Sequence, residues 1–225
     1  CTAEEVRIAV LEDGKLVELQ IERASEARIV GNLYKGRVDA IIPGIQSAFV
    51  DIGLEKNGYL HVSEVIGAGN TEKIEEALKR GQEVLVQVTK EAIATKGVKV
   101  SMDVSLPGRY LVYMPFASHL GVSKNITDKA ERARLTDLLG RLKPEKGSFI
   151  IRSEGEGVGE DQFVRETKYL LRLWDTIQRK TANARPPALI HKDLGPLFKA
   201  ARDSFTEDFD LFLVDSKEEY EDLGD

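Results

Sequence analysis

The sequence predicts an α+β protein organised around a small closed β-barrel, and three observations carry that prediction. Between about residues 31 and 104, short β-rich runs are separated by Gly, Pro and Asn turns, with one helical stretch among them. Two longer segments, 128–142 and 161–180, then read as helices, the second with apolar residues at helical spacing. An alternating hairpin precedes the barrel, and a mixed strand–helix–strand stretch follows the second long helix.

Each element has its own local reason. Val6 to Glu22 alternates on both sides of Asp13-Gly14, the dipeptide that suits a two-residue hairpin turn, so two antiparallel strands are expected there. Five barrel strands are read at Gly36-Arg37-Val38, Ser47 to Gly53, Gly58-Tyr59-Leu60, Glu83 to Val88 and Val98 to Val104, with a helix from Thr71 to Lys79. Five strands and one helix within about 75 residues favour the oligonucleotide/oligosaccharide-binding (OB) fold. The helix from Asp128 to Leu142 stops at Lys143-Pro144, where proline removes a donor and restricts the residue before it. From Asp161 to Lys180, the residues Phe163, Thr167, Leu170, Trp174 and Ile177 form one face. Arg185-Pro186-Pro187 breaks the chain. A strand at Ala188-Leu189-Ile190, a helix from Gly195-Pro196 to about Phe205 and an apolar strand from Leu211 to Val214 are expected after it.

Composition narrows the class. The 225 residues are 42% hydrophobic and 31% charged, and no run reaches the roughly 18 apolar residues that a membrane span needs. The single cysteine, Cys1, cannot close an internal disulfide, and no secretory signal is visible, so a reducing, cytoplasmic setting is expected. Because the chain does not begin with Met and ends at Leu223-Gly224-Asp225 without a closing signal, it is expected to be part of something longer. The net charge of −6 is unevenly distributed: residues 203–225 hold ten acids and one base, leaving +3 on the rest. An anionic ligand would therefore bind in the earlier part, on local patches.

The chemistry concentrates in the barrel. Phe49 and Tyr59 fall on neighbouring strands, where their rings can project from one face as a stacking platform for unpaired bases, with Lys35, Arg37 and Lys96 as candidate cations for the backbone. The plainer alternative puts Phe49 in the barrel core and leaves Tyr59 half-buried. Gly155-Glu156-Gly157-Val158-Gly159 is followed by Glu160 and Asp161, which repel phosphate, so it reads as a loop into a helix rather than a nucleotide cradle. His61, His119 and His191 are scattered and lack the partners of a zinc site, and no metal site is expected in the chain. The acids Glu218 to Asp222 read as a solvated helix face. Asp13 and Asp215 leave open an RNase H-type nuclease, although an Asp in a hairpin turn normally serves the turn.

Three stretches resemble a known family: Gly31 to Val38, Pro43 to Gly53, and Gly58-Tyr59-Leu60-His61 look like the S1 RNA-binding domain of the ribonuclease E / ribonuclease G endoribonucleases. The likeness continues in family order through Lys90 to Gly97, Ser105 to Val112, Met114-Pro115, Leu120 to Ser123 and Ile151-Arg152-Ser153.

The resemblance implies an S1 domain and an α/β sensor for the RNA 5′ end, both inserted into a split RNase H-like domain without nuclease chemistry of its own. Its expected boundaries are 1–30 and 188–225 for the two RNase H-like halves, 31–104 for the S1 domain and 105–187 for the sensor. It further implies that Arg152 and Ser153 hold a 5′-monophosphate, with Lys124 as a nearby cation and Gly108 and Val112 as backbone positions. A guanidinium fork and a hydroxyl match phosphate oxygens. In the family the hydroxyl residue is more usually Thr and the loop cation more usually Arg. The implied function is RNA recognition within an endoribonuclease of RNA processing and decay that cuts single-stranded sites with Mg²⁺. The catalytic carboxylates and the Mg²⁺ site would lie beyond this chain, which alone should bind RNA without cutting it. The implied partner is single-stranded RNA with a 5′-monophosphate, and homo-oligomers are expected only with the missing C-terminal part. A stand-alone S1-type RNA-binding module without catalysis is the other reading.

Overall fold

The computed structural model describes residues 5–23, 29–67, 73–92, 97–204, 210–217 and 220. In chain order the strands are β1 (Glu5–Glu12), β2 (Lys15–Arg23), β3 (Leu33–Ile42), β4 (Ser47–Asp51), β5 (Gly58–His61), β6 (Glu83–Lys90), β7 (Lys99–Ser101), β8 (Leu106–Pro107), β9 (Leu111–Met114), β10 (Gly121–Val122), β11 (Ser148–Ile151) and β12 (Ala188–His191). The helices are α1 (Ile74–Ala77), α2 (Lys129–Leu142), α3 (Glu160–Asn183) and α4 (Pro196–Ser204). Residues 29–193 form one compact unit, and residues 1–28 with 194–225 another.

In the larger unit, β3-β4-β5-β7-β6 is a ring closed by a β3–β6 pairing. This is the five-strand barrel of an OB-type fold. Closure depends on β3 serving two neighbours: Leu33 to Arg37 pair with β6, and Arg37 to Ile42 pair with β4 across a bulge between Val38 and Ala40. A bulge bends its strand, which lets one strand turn the corner of a barrel. Gly36 sits at the crossing, where a Cβ would meet the Val50 side chain at 2.5 Å and the Asp51 carbonyl at 2.8 Å. Tyr34, Val38, Val50, Leu60, Val86 and Val100 fill the interior. Period-2 alternation therefore turns Lys35, Arg37, Phe49 and Tyr59 outward.

The other edge of β3 is occupied as well. β12 pairs antiparallel with it, Ala188 opposite Lys35 and Leu189 opposite Tyr34. The Ala188–Ile190 strand, grouped by sequence with residues up to 225, is hydrogen-bonded to the barrel instead, because the first half of β3 would otherwise leave a row of backbone groups unpaired.

Next to the barrel, β10-β11-β9-β8 form a small sheet covered by α2 and α3. Leu135, Leu138 and Leu139 from α2 meet Phe163, Leu170, Trp174 and Ile177 from α3 over Leu111, Tyr113, Phe149 and Ile151. Leu33 at the start of β3 and Ile190 in β12 belong to this core, which is distinct from the barrel interior. Both long helices lie where the sequence puts them, and Asp128 caps α2 by accepting from the Glu131 N–H at 2.7 Å. The sheet itself has no pattern to read, since β8 and β10 are two residues each and Phe149-Ile150-Ile151 is an unbroken apolar run.

Two expectations are corrected. Within the expected helix 71–79, α1 covers only Ile74–Ala77, and Leu78 is already extended (φ −133°); residues 71 and 72 lie outside the described residues. Leu211 to Val214 forms no strand, and Leu211 and Leu213 are exposed, because an apolar run becomes a strand only where an edge is available to bond it. Most of the acidic run 218–222 is outside the described residues. In the smaller unit β1 and β2 pair antiparallel about Asp13 (φ 50°) and Gly14 (φ 74°), and α4 packs on β1. No described helix is long and apolar enough to cross a membrane.

Candidate nucleic-acid interface

Phe49 and Tyr59 stand directly opposite each other in the β4–β5 ladder. Their rings meet edge to face, with centroids 6.1 Å apart at 65°. Both are half-buried, whereas the following residues Val50 and Leu60 are fully enclosed, so the rings lie on the outer wall and not in the core. Ser47 Oγ donates to the Ile45 carbonyl at 2.8 Å and accepts from Tyr59 Oη at 2.7 Å, which fixes the phenol end. The pair lines an open groove of about 970 Å³ bordered by Ile45 and by Lys56, Lys90 and Lys99, with Asp39, Glu55 and Glu91 among them. Acids and bases balance, so the groove favours flat apolar rings more than it attracts charge.

The cations differ from those expected. Lys35 Nζ is held 3.0 Å from Glu83 Oε2 and donates to the Ala184 carbonyl at 3.0 Å; its side chain is only 13% exposed. Arg37 lies 3.6 Å from the same Glu83, its neighbour in the β3–β6 ladder. The Lys35 hydrogen bond keeps the Glu83 carboxyl below its ordinary range. Lys35 and Arg37 are thus on the outer face but not in the groove. Lys96 lies outside the described residues, although Glu91 and Gly97 on either side of that segment line the groove. Lys99 is bound to Glu64 Oε1 at 2.5 Å. Burial pushes the Glu64 carboxyl up, and the hydrogen bonds from Lys99 and Ser101 together with the nearby Lys99 charge more than reverse this. Lys90, exposed at the end of β6, forms no ion pair among the described residues. Lys56 and Lys90 are groove cations missed by the sequence reading. Their positions, in the turn before β5 and at a strand end, were the available signal.

Four of the five phosphate-site candidates gather where β9 begins and β10 and β11 end. Gly108 to Leu111 form a tight turn between β8 and β9, closed by the Gly108 N–H donating to the Leu111 carbonyl at 2.7 Å. Arg152 is tied to this turn twice: its N–H donates to the Tyr110 carbonyl at 2.8 Å and its Nη1 to the Gly108 carbonyl at 2.6 Å. Ser153 follows it and opens a short 3₁₀ turn. Val122 and Ile151 are partners in the parallel β10–β11 pair, so Lys124 leaves the sheet at the same end as Arg152. Lys124 is exposed. Val112, the fifth, sits inside β9 between Pro107 and Ile150. Arg152 Nε also lies 3.4 Å from Glu154.

Glu166, on α3, was not foreseen. Its carboxylate accepts from the N–H groups of Arg109, Tyr110 at 2.9 Å and Leu111 at 2.8 Å, three successive donors of the turn. Burial raises its pKa, partly offset by those bonds and by the nearby Arg152 charge. The turn is therefore a built anion cradle that an internal carboxylate already fills. Nothing in the local pattern separates Glu166 from the other charges of α3, since its partners are 55 to 57 residues away.

Among the remaining candidates, Asp13 is a turn residue of the hairpin, and His61 Nδ1 meets Ser63 Oγ at 2.9 Å in a local cap. Among the described residues no group of three or more His, Cys, Asp and Glu side chains is arranged to hold a metal ion.

Residues 29–103 match the S1 RNA binding domain, and residues 105–225 match the Ribonuclease E/G family. Ribonuclease G of Escherichia coli (strain K12) is 40% identical over 99% of this chain and 48% of its own length. Ribonuclease G of Haemophilus influenzae is 39% identical over 96% of this chain and 46% of its own. Ribonuclease E of Nostoc sp. (strain PCC 7120) is 35% identical over 92% of this chain and 31% of its own. The chain spans about half the length, or less, of these curated relatives. With an S1 barrel at residues 29–103 and a family match across more than half its length, the chain belongs to the ribonuclease E/G family.

Proposed function

We propose that this chain is the RNA-recognition region of an endoribonuclease of RNA processing and decay, one that takes single-stranded RNA and prefers a 5′-monophosphate end. The observation that carries the reading is the Phe49–Tyr59 pair, outward-facing on an S1 barrel and opening on a groove with lysines at its rim. Unpaired bases stack on such rings, and duplexed bases do not offer their faces.

The 5′ preference rests on the group of donors around Arg152. A terminal phosphate meeting Arg152, Ser153 and Lys124 would gain a guanidinium fork, a hydroxyl donor and a point charge, none of which a 5′-hydroxyl end uses. The bond from Arg152 to the Gly108 carbonyl aims the guanidinium in advance, which lowers the ordering cost of binding. Family membership supports phosphodiester hydrolysis with Mg²⁺ as the reaction of the whole protein. The Mg²⁺ site is assigned to a part of the whole protein outside this chain, and this chain is expected to bind RNA without cutting it.

Competition binding with matched 5′-monophosphate and 5′-hydroxyl oligonucleotides tests the reading. An advantage of about tenfold for the phosphate, abolished in Arg152→Ala protein, is expected from one or two charge-assisted bonds. Equal affinities in the wild type, or an equal loss for both RNAs in the variant, would remove the 5′ sensor from the proposal.

A further inference from the structure

The buried face of α3 is accounted for by Phe163, Thr167, Leu170, Trp174 and Ile177. The opposite face is not. At about 100° per residue, Arg165, Lys168, Tyr169, Arg172, Arg179 and Lys180 fall within an arc of about 120° centred away from that core. All six are exposed, and Tyr169, 58% exposed, lies between cations on either side. Among the described residues none of Arg165, Lys168, Arg172 and Lys180 forms an ion pair, and Arg179 donates to Thr176 Oγ1 at 3.3 Å.

Helix α2 is the internal contrast. Two of its four cations are matched within the helix, Arg134 to Glu131 and Arg141 to Asp137, and a third, Arg132, donates to the Ser123 and Ile126 carbonyls. A helix shaped only for stability mixes signs in this way, because like charges three or four residues apart destabilise it. Helix α3 sets Arg165, Lys168 and Arg172 at those spacings, and although Asp161 stands four residues before Arg165 and Asp175 three after Arg172, none of these cations pairs with them among the described residues. The stripe runs about 21 Å from Arg165 to Arg179 at 1.5 Å per residue. One end adjoins Glu166 and the turn that holds Arg152; the other opens into a shallow cleft of about 670 Å³ lined by Arg179, Lys180, Asn183 and Leu189.

We infer that the exposed face of α3 is a second RNA-binding surface, taking the phosphate backbone of single-stranded RNA along its cations with a base stacked on Tyr169. This goes beyond the barrel groove and the 5′-phosphate site, and it does not need either to be correct. Cations in a row with an interleaved, solvent-facing aromatic are what a single strand uses. An anionic lipid surface fits worse, because an interfacial helix needs an apolar face to insert, and the apolar face of α3 is already in the core.

The test is binding of a short and a long 5′-hydroxyl single-stranded RNA by the whole chain, between about 50 and 200 mM salt. Arg165→Gln/Arg172→Gln/Arg179→Gln should lower the slope of log affinity against log salt by about 2 for the long RNA, at about 0.7 per phosphate, with the short RNA unaffected. Tyr169→Ala should weaken the long RNA by at least about fivefold. Thermal unfolding checks that the variants fold, and relief of like-charge repulsion should leave the triple variant no less stable. An unchanged slope, an equal loss on both RNAs, or loss of binding to anionic phospholipid vesicles with RNA affinity retained would each overturn the inference. If Phe49→Ala changes neither RNA while the triple variant flattens the slope, the barrel reading fails and this one stands.

Discussion

Arg152 and Glu166 grip one turn from opposite chemistry: the Arg152 guanidinium donates to the Gly108 carbonyl at 2.6 Å, and the Glu166 carboxylate accepts from the N–H groups of Tyr110 and Leu111 at 2.9 and 2.8 Å. The carbonyls and the amides of a four-residue loop are thus both engaged, one set by a cation and the other by an anion. Any change that moves the loop moves Arg152 with it.

Gly108 is where that grip is tightest. A Cβ there would lie 2.5 Å from Glu166 Oε1, so Gly108→Ala must displace either the carboxylate or the turn. We expect loss of the 5′-monophosphate advantage in competition binding, with 5′-hydroxyl affinity unchanged. A destabilisation of about 1–3 kcal/mol should accompany it, because buried hydrogen bonds to a carboxylate are broken. A variant that keeps both the advantage and its stability would show that the turn has room to relax.

Stacking on the barrel gives a separate signature. Phe49→Ala and Tyr59→Ala should each weaken a short single-stranded RNA by about 1–3 kcal/mol. Tyr59→Phe should cost much less, since it removes the Ser47 bond and keeps the ring. Fluorescence anisotropy on the three variants decides it; unchanged affinity in both alanine variants would return the pair to a packing role.

The salt response should distinguish two lysines that look alike in sequence. Lys90→Gln is expected to reduce the salt slope by about 0.7, one phosphate's worth for a single strand. Lys35→Gln should leave the slope where it was, because its ammonium is occupied by Glu83 and the Ala184 carbonyl. The opposite result would mean that Lys35 abandons those partners for RNA.

Two carboxylates make opposite demands on pH. The hydrogen bonds from Arg134 and then the Gly157 N–H hold Glu131 down to about 2, below its ordinary 4.5. Its contribution to stability is therefore present above pH 4.5 and lost as pH falls toward 2. The Glu166 pKa is raised above 4.5, chiefly by burial, so its contribution is present in full below 4.5 and lost as pH rises through the folded-state value. Urea unfolding across a pH series should show the gap between wild type and Glu131→Gln closing on acidification. The stability of wild type relative to Glu166→Gln should instead improve on acidification. Parallel pH curves for wild type and either variant would contradict the corresponding shift.

Local pattern alone located much of this protein. The Asp13-Gly14 hairpin, the barrel strands with Phe49 and Tyr59 on adjacent ones, the extent of α2 and the core face of α3 follow from spacing and turn chemistry within a few residues of each position. What spacing could not decide was which partner each side chain meets. Lys35 reads as a phosphate contact and Lys90 goes unnoticed until the β3–β6 ladder brings Glu83 against Lys35, 48 residues away in sequence. The strand at 188–191 joins the barrel only because β3 presents an open edge to it. The small sheet of β8 to β11 is too short and too buried to leave a period, and Glu166 becomes special only when α3 packs over a turn more than fifty residues upstream. Periodicity is a property of neighbours along the chain, whereas charge pairing, edge satisfaction and the filling of an amide cradle are properties of neighbours in space, and the tertiary structure alone determines those.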